Sequence, residues 1–147
     1  SEALARNVVA SQIGIICPRE LTAAAYRLTC QINENSEAFA KYSEVPEMNH
    51  NEIVAWFSES PGNRALLIMS SEGIHERTES RISWIEENLN TKNVWRIECK
   101  GESLLERLIY AAHISDWISI ALALLRGVNP TSMEPIPQLK EYLSDIQ

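Results

Sequence analysis

Basic charge is scarce in this chain: 13 Lys and Arg stand against 20 Asp and Glu, a formal net charge of −7 over 147 residues. That sign excludes the electrostatic footprint of a protein that tracks a nucleic-acid backbone. Cysteine is equally sparse. Cys17, Cys30 and Cys99 are widely spaced inside apolar or periodic segments, without a C-x-x-C pair, and read as reduced buried thiols rather than a disulfide framework. The histidines His50, His75 and His113 form no H-x-x-x-H or H-E-x-x-H spacing, so no metal is implied. Glycine numbers 5, and no G-x-G-x-x-G or G-x-x-x-x-G-K-[ST] loop occurs, which removes most support for nucleotide binding. The densest apolar run, Ile114 to Val128, is interrupted by Asp116, Ser119 and Arg126. It falls short of the ~20 apolar residues of a membrane span, so no membrane segment is expected. The start of the chain lacks a basic stretch followed by an apolar one, and a cytoplasmic setting is expected.

What remains is an ordinary globular composition, 45% hydrophobic and 22% charged, with the length of one domain. Ile13 to Cys17 is a short continuous apolar run ended by Pro18, as in a strand buried on both faces. Leu21, Ala24, Ala25, Leu28 and Ile32 then recur at helical spacing, which predicts a helix from Glu20 to about Lys41. The turn signal Pro61-Gly62-Asn63 introduces a second strand, Arg64 to Met69, followed by a polar helix near His75 to Asn90. A third strand, Asn93 to Cys99, precedes a long apolar helix from Ser103 to Arg126, closed by Gly127 and Pro130. A short helix, Gln138 to Leu143, ends the chain, and a fourth strand is possible around Val8 to Ser11. Strands alternating with helices require a mostly parallel sheet covered on both faces, a three-layer α/β sandwich. The helix 103–126 is apolar nearly all round, which calls for burial between layers or against a second domain or subunit.

Open sheets of this kind bind ligands beyond the carboxyl ends of their strands. There the loop Ser70-Ser71-Glu72-Gly73 has the look of a phosphate cradle, but its acids fit an ordinary helix start better. The densest polar cluster is Gln31-Ile32-Asn33-Glu34-Asn35, followed by Pro46-Glu47-Met48-Asn49-His50-Asn51-Glu52. Amides, carboxylates and a histidine together can supply the acid, base and hydroxyl-reading groups of sugar chemistry. Asn49 and Glu52, three residues apart, also read as a capping pair opening a helix with Ile53, Val54 and Trp56.

These two segments, beginning at Ala25-Tyr26-Arg27 and running to Trp56, resemble the C-terminal sugar-isomerase (SIS) domain of the bifunctional phosphoglucose/phosphomannose isomerases. Asp116-Trp117, the stretch Leu122 to Pro130 and the tail Ile136 to Leu143 are similar to that family's closing helix, turn and last short helix. The resemblance implies an SIS-type, flavodoxin-like sheet and a single domain over 1–147, corresponding to the C-terminal half of a two-domain sugar isomerase. It implies cofactor-free interconversion of glucose 6-phosphate or mannose 6-phosphate with fructose 6-phosphate through an enediol. Glu34 matches the family's catalytic base, His50 the ring-opening histidine contributed across a homodimer interface, and Lys140 a lysine on the substrate oxygens. Arg27 matches a position near the site, and Gln31, Asn35 and Asn51 join it as substrate-binding candidates. Family members generally carry Ala-Lys where this chain has Ser36-Glu37, exchanging a cation for an anion beside the base. The family's phosphate is held by a Ser/Thr-rich loop of an N-terminal SIS domain, and nothing before Ile13 matches that loop. A second reading therefore stands beside catalysis: a regulatory or assembly SIS domain that binds sugar phosphates without turning them over. A protein-interaction domain using the helix 103–126 is a third.

Overall fold

Two neighbouring apolar segments, Gln12–Pro18 (β1) and Arg64–Ser70 (β3), form the centre of a parallel sheet. In the computed structural model, which describes residues 12–58, 63–89 and 93–146, alternate side chains of these strands enter two separate cores. Ile13, Ile15, Cys17, Ala65, Leu67 and Met69 face one side, and Ile16, Leu66 and Ile68 the other. Burial on both faces explains why each strand reads as an unbroken apolar run rather than an alternation.

The first core is closed by Thr22–Ser36 (α1) and by Leu104–Arg126 (α4), the second by Glu52–Trp56 (α2) and Glu76–Asn88 (α3). With Ala40–Val45 (β2) and Val94–Glu98 (β4), the sheet has the order β2-β1-β3-β4, all strands parallel. This is the expected three-layer α/β sandwich, with the strand order of flavodoxin-like folds. A last helix, Pro135–Ser144 (α5), begins with a proline suited to a first helical turn and starts earlier than the expected Gln138.

Two expectations need correction. The first helix stops at Ser36 rather than near Lys41, because Glu37 takes a left-handed conformation with φ 49° and terminates it. The chain then forms β2, a fourth strand that its mixed sequence Ala-Lys-Tyr-Ser-Glu-Val conceals. Asn33 fixes the junction: its Oδ1 accepts from Ala40 N at 2.8 Å and its Nδ2 donates to Ala40 O at 3.2 Å. The alternative fourth strand, Val8 to Ser11, lies outside the described residues. The second correction concerns caps. Asn51, not Asn49, caps α2, accepting from Glu52 N, while Asn49 sits in a 3-10 turn, Glu47–His50. Likewise His75 caps α3, its Nδ1 accepting from Arg77 N at 3.1 Å, rather than a residue of the serine loop.

The helix α4 is bounded as its sequence requires. Ser103 and Glu106 form a reciprocal capping box, and Gly127, φ 70°, closes the other end. By length and composition alone α4 could cross a membrane, with a mean hydropathy of 1.7 over its best window, more than the interrupted run 114–128 suggests. Here Ala111, Ser115, Ser119, Leu122 and Ala123 are buried against the domain, while Leu105, Ile109, Trp117, Ile120 and Leu124 face outward. Cover comes from one side only, where the sequence called for both.

Candidate functional site

Because α1 starts at the carboxyl end of β1 and runs back along the sheet, its last turn lies at the amino end of β2. Glu34 is in that turn. His50 and Asn51 follow the opposite end of β2, after Val45. The 6 residues of β2 therefore stand between Glu34 and His50, about 20 Å at the ordinary rise of a strand. The sequence brings these two groups within sixteen positions; the fold places them at opposite ends of the sheet.

Glu34 is exposed. It borders an open cleft of about 710 Å³ formed with Glu37, Phe39 and the segment Ser132 to Ile136 that leads into α5. Phe39, Met133 and Ile136 give the cleft an apolar side, and Glu37 and Glu134 add two further carboxylates. Lys140 is exposed one helical turn after Ile136, so both share a side of α5. Pattern reading offered no hint of Met133 or Glu134 here, since cleft residues on a loop have no period.

Arg27, Gln31 and Asn35 recur every four residues on α1, and the structure turns that stripe toward α4. Arg27 Nη2 donates to Asp116 Oδ1 at 2.8 Å, Gln31 Nε2 donates to the same oxygen, and Asn35 Nδ2 donates to Ser119 Oγ at 3.0 Å. The Gln31 hydrogen bond, helped by the Arg27 guanidinium and against the small cost of desolvation, holds the Asp116 carboxyl below its usual range. Gln31 Oε1 is buried without a partner. These three candidates thus form a polar seam that holds the Glu34 turn to α4.

At the other end of the sheet, His50 and Asn51 are exposed. Their position is fixed by the next residue. Glu52 accepts from Lys41 Nζ at 2.8 Å, Ser43 Oγ at 2.5 Å and Trp56 Nε1 at 2.8 Å. Burial works against its ionisation, yet these hydrogen bonds from Lys41, Ser43 and Trp56 outweigh it and hold the carboxyl below the ordinary glutamate value. By spacing alone Glu52 reads as a capping residue; its partners on β2 are visible only in three dimensions. Among the described residues no group of three or more His, Cys, Asp and Glu side chains is arranged to hold a metal ion. Cys17 and Cys99 are buried and Cys30 is partly exposed, all three free thiols.

Comparison with known proteins bears on the family and the fold. The family model of the bacterial phospho-glucose isomerase C-terminal SIS domain matches residues 1–143. A bifunctional phosphoglucose/phosphomannose isomerase of Aquifex aeolicus is 36% identical over 141 residues, covering 93% of this chain and 44% of that protein. Its namesake in Thermoplasma acidophilum is 29% identical over 120 residues, covering 82% of this chain and 38% of that protein. The chain thus spans less than half the length of these curated relatives. Among solved structures, the C-terminal domain of glucosamine-fructose-6-phosphate aminotransferase from Francisella tularensis superposes with a TM-score of 0.66 over 99% of this chain and 44% of that one. At 11% identity that likeness concerns the fold alone. The parallel sheet in the order β2-β1-β3-β4 and a sequence match running nearly end to end lead to one conclusion: this chain belongs to the bacterial phospho-glucose isomerase C-terminal SIS domain family.

Proposed function

We propose that this chain is the proton-transferring half of a phosphosugar aldose–ketose isomerase, acting on glucose 6-phosphate or mannose 6-phosphate in the cytoplasm. The observation that carries the reading is Glu34, exposed at the mouth of an open cleft at the end of α1. In the reaction Glu34 removes the proton from C2 of the open-chain aldose. The electron pair forms the C1–C2 double bond while the C1 carbonyl π pair moves onto O1, which takes up a proton to give the enediol; O2 then releases its proton, the C2 carbonyl forms, and the C1–C2 π pair takes the proton back from Glu34 at C1. No oxidant or reductant is consumed. His50 opens the sugar ring beforehand, moving a proton from the anomeric hydroxyl to the ring oxygen.

The separation of Glu34 from His50 along β2 means that one copy cannot present both to one sugar. A second copy supplying His50, in a homodimer, meets this requirement. Three carboxylates around the cleft, Glu34, Glu37 and Glu134, disfavour a phosphate there. The phosphate is therefore held by another surface, the role an N-terminal SIS domain would fill. Lys140 reaches the sugar oxygens from α5. Arg27, Gln31 and Asn35 hold the base through Asp116 and Ser119, and Asn51 orients the turn that carries His50.

The test is deuterium incorporation from solvent at C1 of fructose 6-phosphate, followed by NMR with the complete enzyme and its Glu34→Gln variant. Exchange and turnover are expected to fall by about 10²- to 10⁴-fold while the melting temperature holds. Undiminished exchange in the variant refutes the role of Glu34. Glu37, an acid beside the base where the family generally carries a lysine, favours a second reading, a sugar-phosphate-binding domain without turnover, for which ligand binding survives both Glu34→Gln and His50→Ala.

A further inference from the structure

Two apolar helix faces of the domain are left without cover, and both converge on the Glu34 cleft. On α4, Leu105, Ile109, Trp117, Ile120 and Leu124 are exposed and fall within about a third of the helix circumference, opposite the buried Ala111, Ser115 and Ser119. The stripe is about 29 Å long at the ordinary helical rise. Trp117 and Leu124 are 61% and 70% exposed. Polar side chains on the same face are engaged within the domain. Glu106 caps the helix, Asp116 accepts from Arg27 and Gln31, and His113 Nε2 accepts from Trp117 Nε1 at 3.2 Å.

The second face belongs to α5. All of residues 135–144 are exposed, so the helix buries nothing in the domain, although Ile136, Leu139 and Leu143 recur on one side of it. A helix of 10 residues is too short to hold its shape in water by propensity alone, and its stability has to come from a surface packed on that apolar side. Both elements reach the same place. Ile136 lines the Glu34 cleft, and Arg126, the last residue of α4, donates from Nη2 to the carbonyl of Glu37 at 3.2 Å. An uncovered apolar patch of this extent marks an interaction surface.

The length of the relatives indicates the occupant. This chain covers 44% and 38% of the two isomerases described above, and the family model it matches is that of a C-terminal domain. The larger part of each relative therefore lies ahead of the matching segment. We infer that the α4 stripe and the apolar side of α5 together seat the preceding half of the same polypeptide, the SIS domain assigned above to the phosphate. The inference rests on that reading. In a hexose 6-phosphate the phosphate lies one sugar ring away from C1 and C2, so the surface that holds it has to abut the Glu34 cleft, and a domain seated on α5 and the last turns of α4 does so.

The experiment is photo-cross-linking of the complete enzyme with p-benzoylphenylalanine in place of Trp117, of Leu124 or, as a control on the other layer, of Trp84 in α3. All three positions are exposed in this domain, so none of the replacements disturbs a core. At Trp117 and Leu124 the product should run as a single chain on a denaturing gel, and mass spectrometry should join the probe to peptides that precede Ser1; the Trp84 position should give no such peptides. Covalent dimers in place of internal cross-links would assign the face to a second copy and overturn the proposal. Absence of cross-links at both positions, the same peptides captured from the Trp84 position, or a native polypeptide no longer than these 147 residues would overturn it as well. None of these readouts uses turnover. Loss of the isomerase reading in the Glu34→Gln exchange test leaves the cross-links in place, and loss of the cross-links leaves the exchange result standing.

Discussion

Replacing Gly14 by alanine tests the packing of Trp56 against the sheet. Gly14 lies in the middle of β1, and the indole of Trp56 covers it. A Cβ added there would overlap Cζ2 of Trp56 and lie 2.8 Å from Cη2. The ring cannot simply swing away: Trp56 is 7% exposed, and its Nε1 donates to Glu52 Oε1 at 2.8 Å. Overpacking of this kind costs about 1–3 kcal/mol, which in a domain of this size lowers the melting temperature by roughly 2–4 °C per kcal/mol. Gly14→Ala should therefore melt about 2–12 °C below the parent by differential scanning calorimetry. If the ring is the cause, Trp56→Phe, which shortens the side chain, should make the second substitution cheaper than it is alone, a coupling that a double-mutant cycle reads directly. A Gly14→Ala protein with an unchanged melting temperature, or strictly additive losses in the double mutant, would refute the argument.

Glu52→Gln should cost about 1–2 kcal/mol at neutral pH, because Lys41 loses its anion while the neutral contacts persist. Since the fold holds the Glu52 carboxyl below the ordinary glutamate value, its contribution is complete above that ordinary value and is lost as pH falls through the folded one. Urea titrations should show parent and variant converging in acid, and a gap that persists unchanged there would refute it. In the native protein Cys30 should alkylate first. Burial pushes the Cys17 thiol up to about 12 and that of Cys99 up to about 11, so mass spectrometry after brief iodoacetamide treatment should find both unmodified.

Local chemistry decided what could be read from the residues alone. Ser103, Glu106 and Gly127 mark both ends of α4 because capping is a short-range interaction written in neighbouring residues. β1 and β3 announce themselves because burial on both faces demands an unbroken apolar run. β2 does not, since an edge strand pairs on one side only and tolerates Lys41, Ser43 and Glu44. Its beginning is hidden further by Glu37, which turns the chain through a conformation usually marked by glycine. The candidate site divides along the same line. Residue types at Glu34 and His50 were visible from the family resemblance. That Arg27, Gln31 and Asn35 face Asp116 and Ser119 depends on α4, eighty and more residues away, and no local pattern encodes it.

Parallel topology imposes the separation of Glu34 from His50. A helix that returns from one parallel strand to the next must end where the next begins, so groups at the end of α1 and after β2 are held a strand's length apart. No side-chain rotation closes a gap of about 20 Å. If both groups serve one sugar, they come from different copies, and mixing makes this measurable. Glu34→Gln and His50→Ala enzymes, each inactive alone, are to be dissociated and reassociated together. Random pairing in a two-fold dimer yields half mixed dimers, each with one site that draws intact Glu34 and His50 from different chains. About a quarter of the parental activity should return. Recovery of none, with mixed dimers demonstrated by native mass spectrometry, would mean that the two residues do not act in a shared site, and the role assigned to His50 would fall with it.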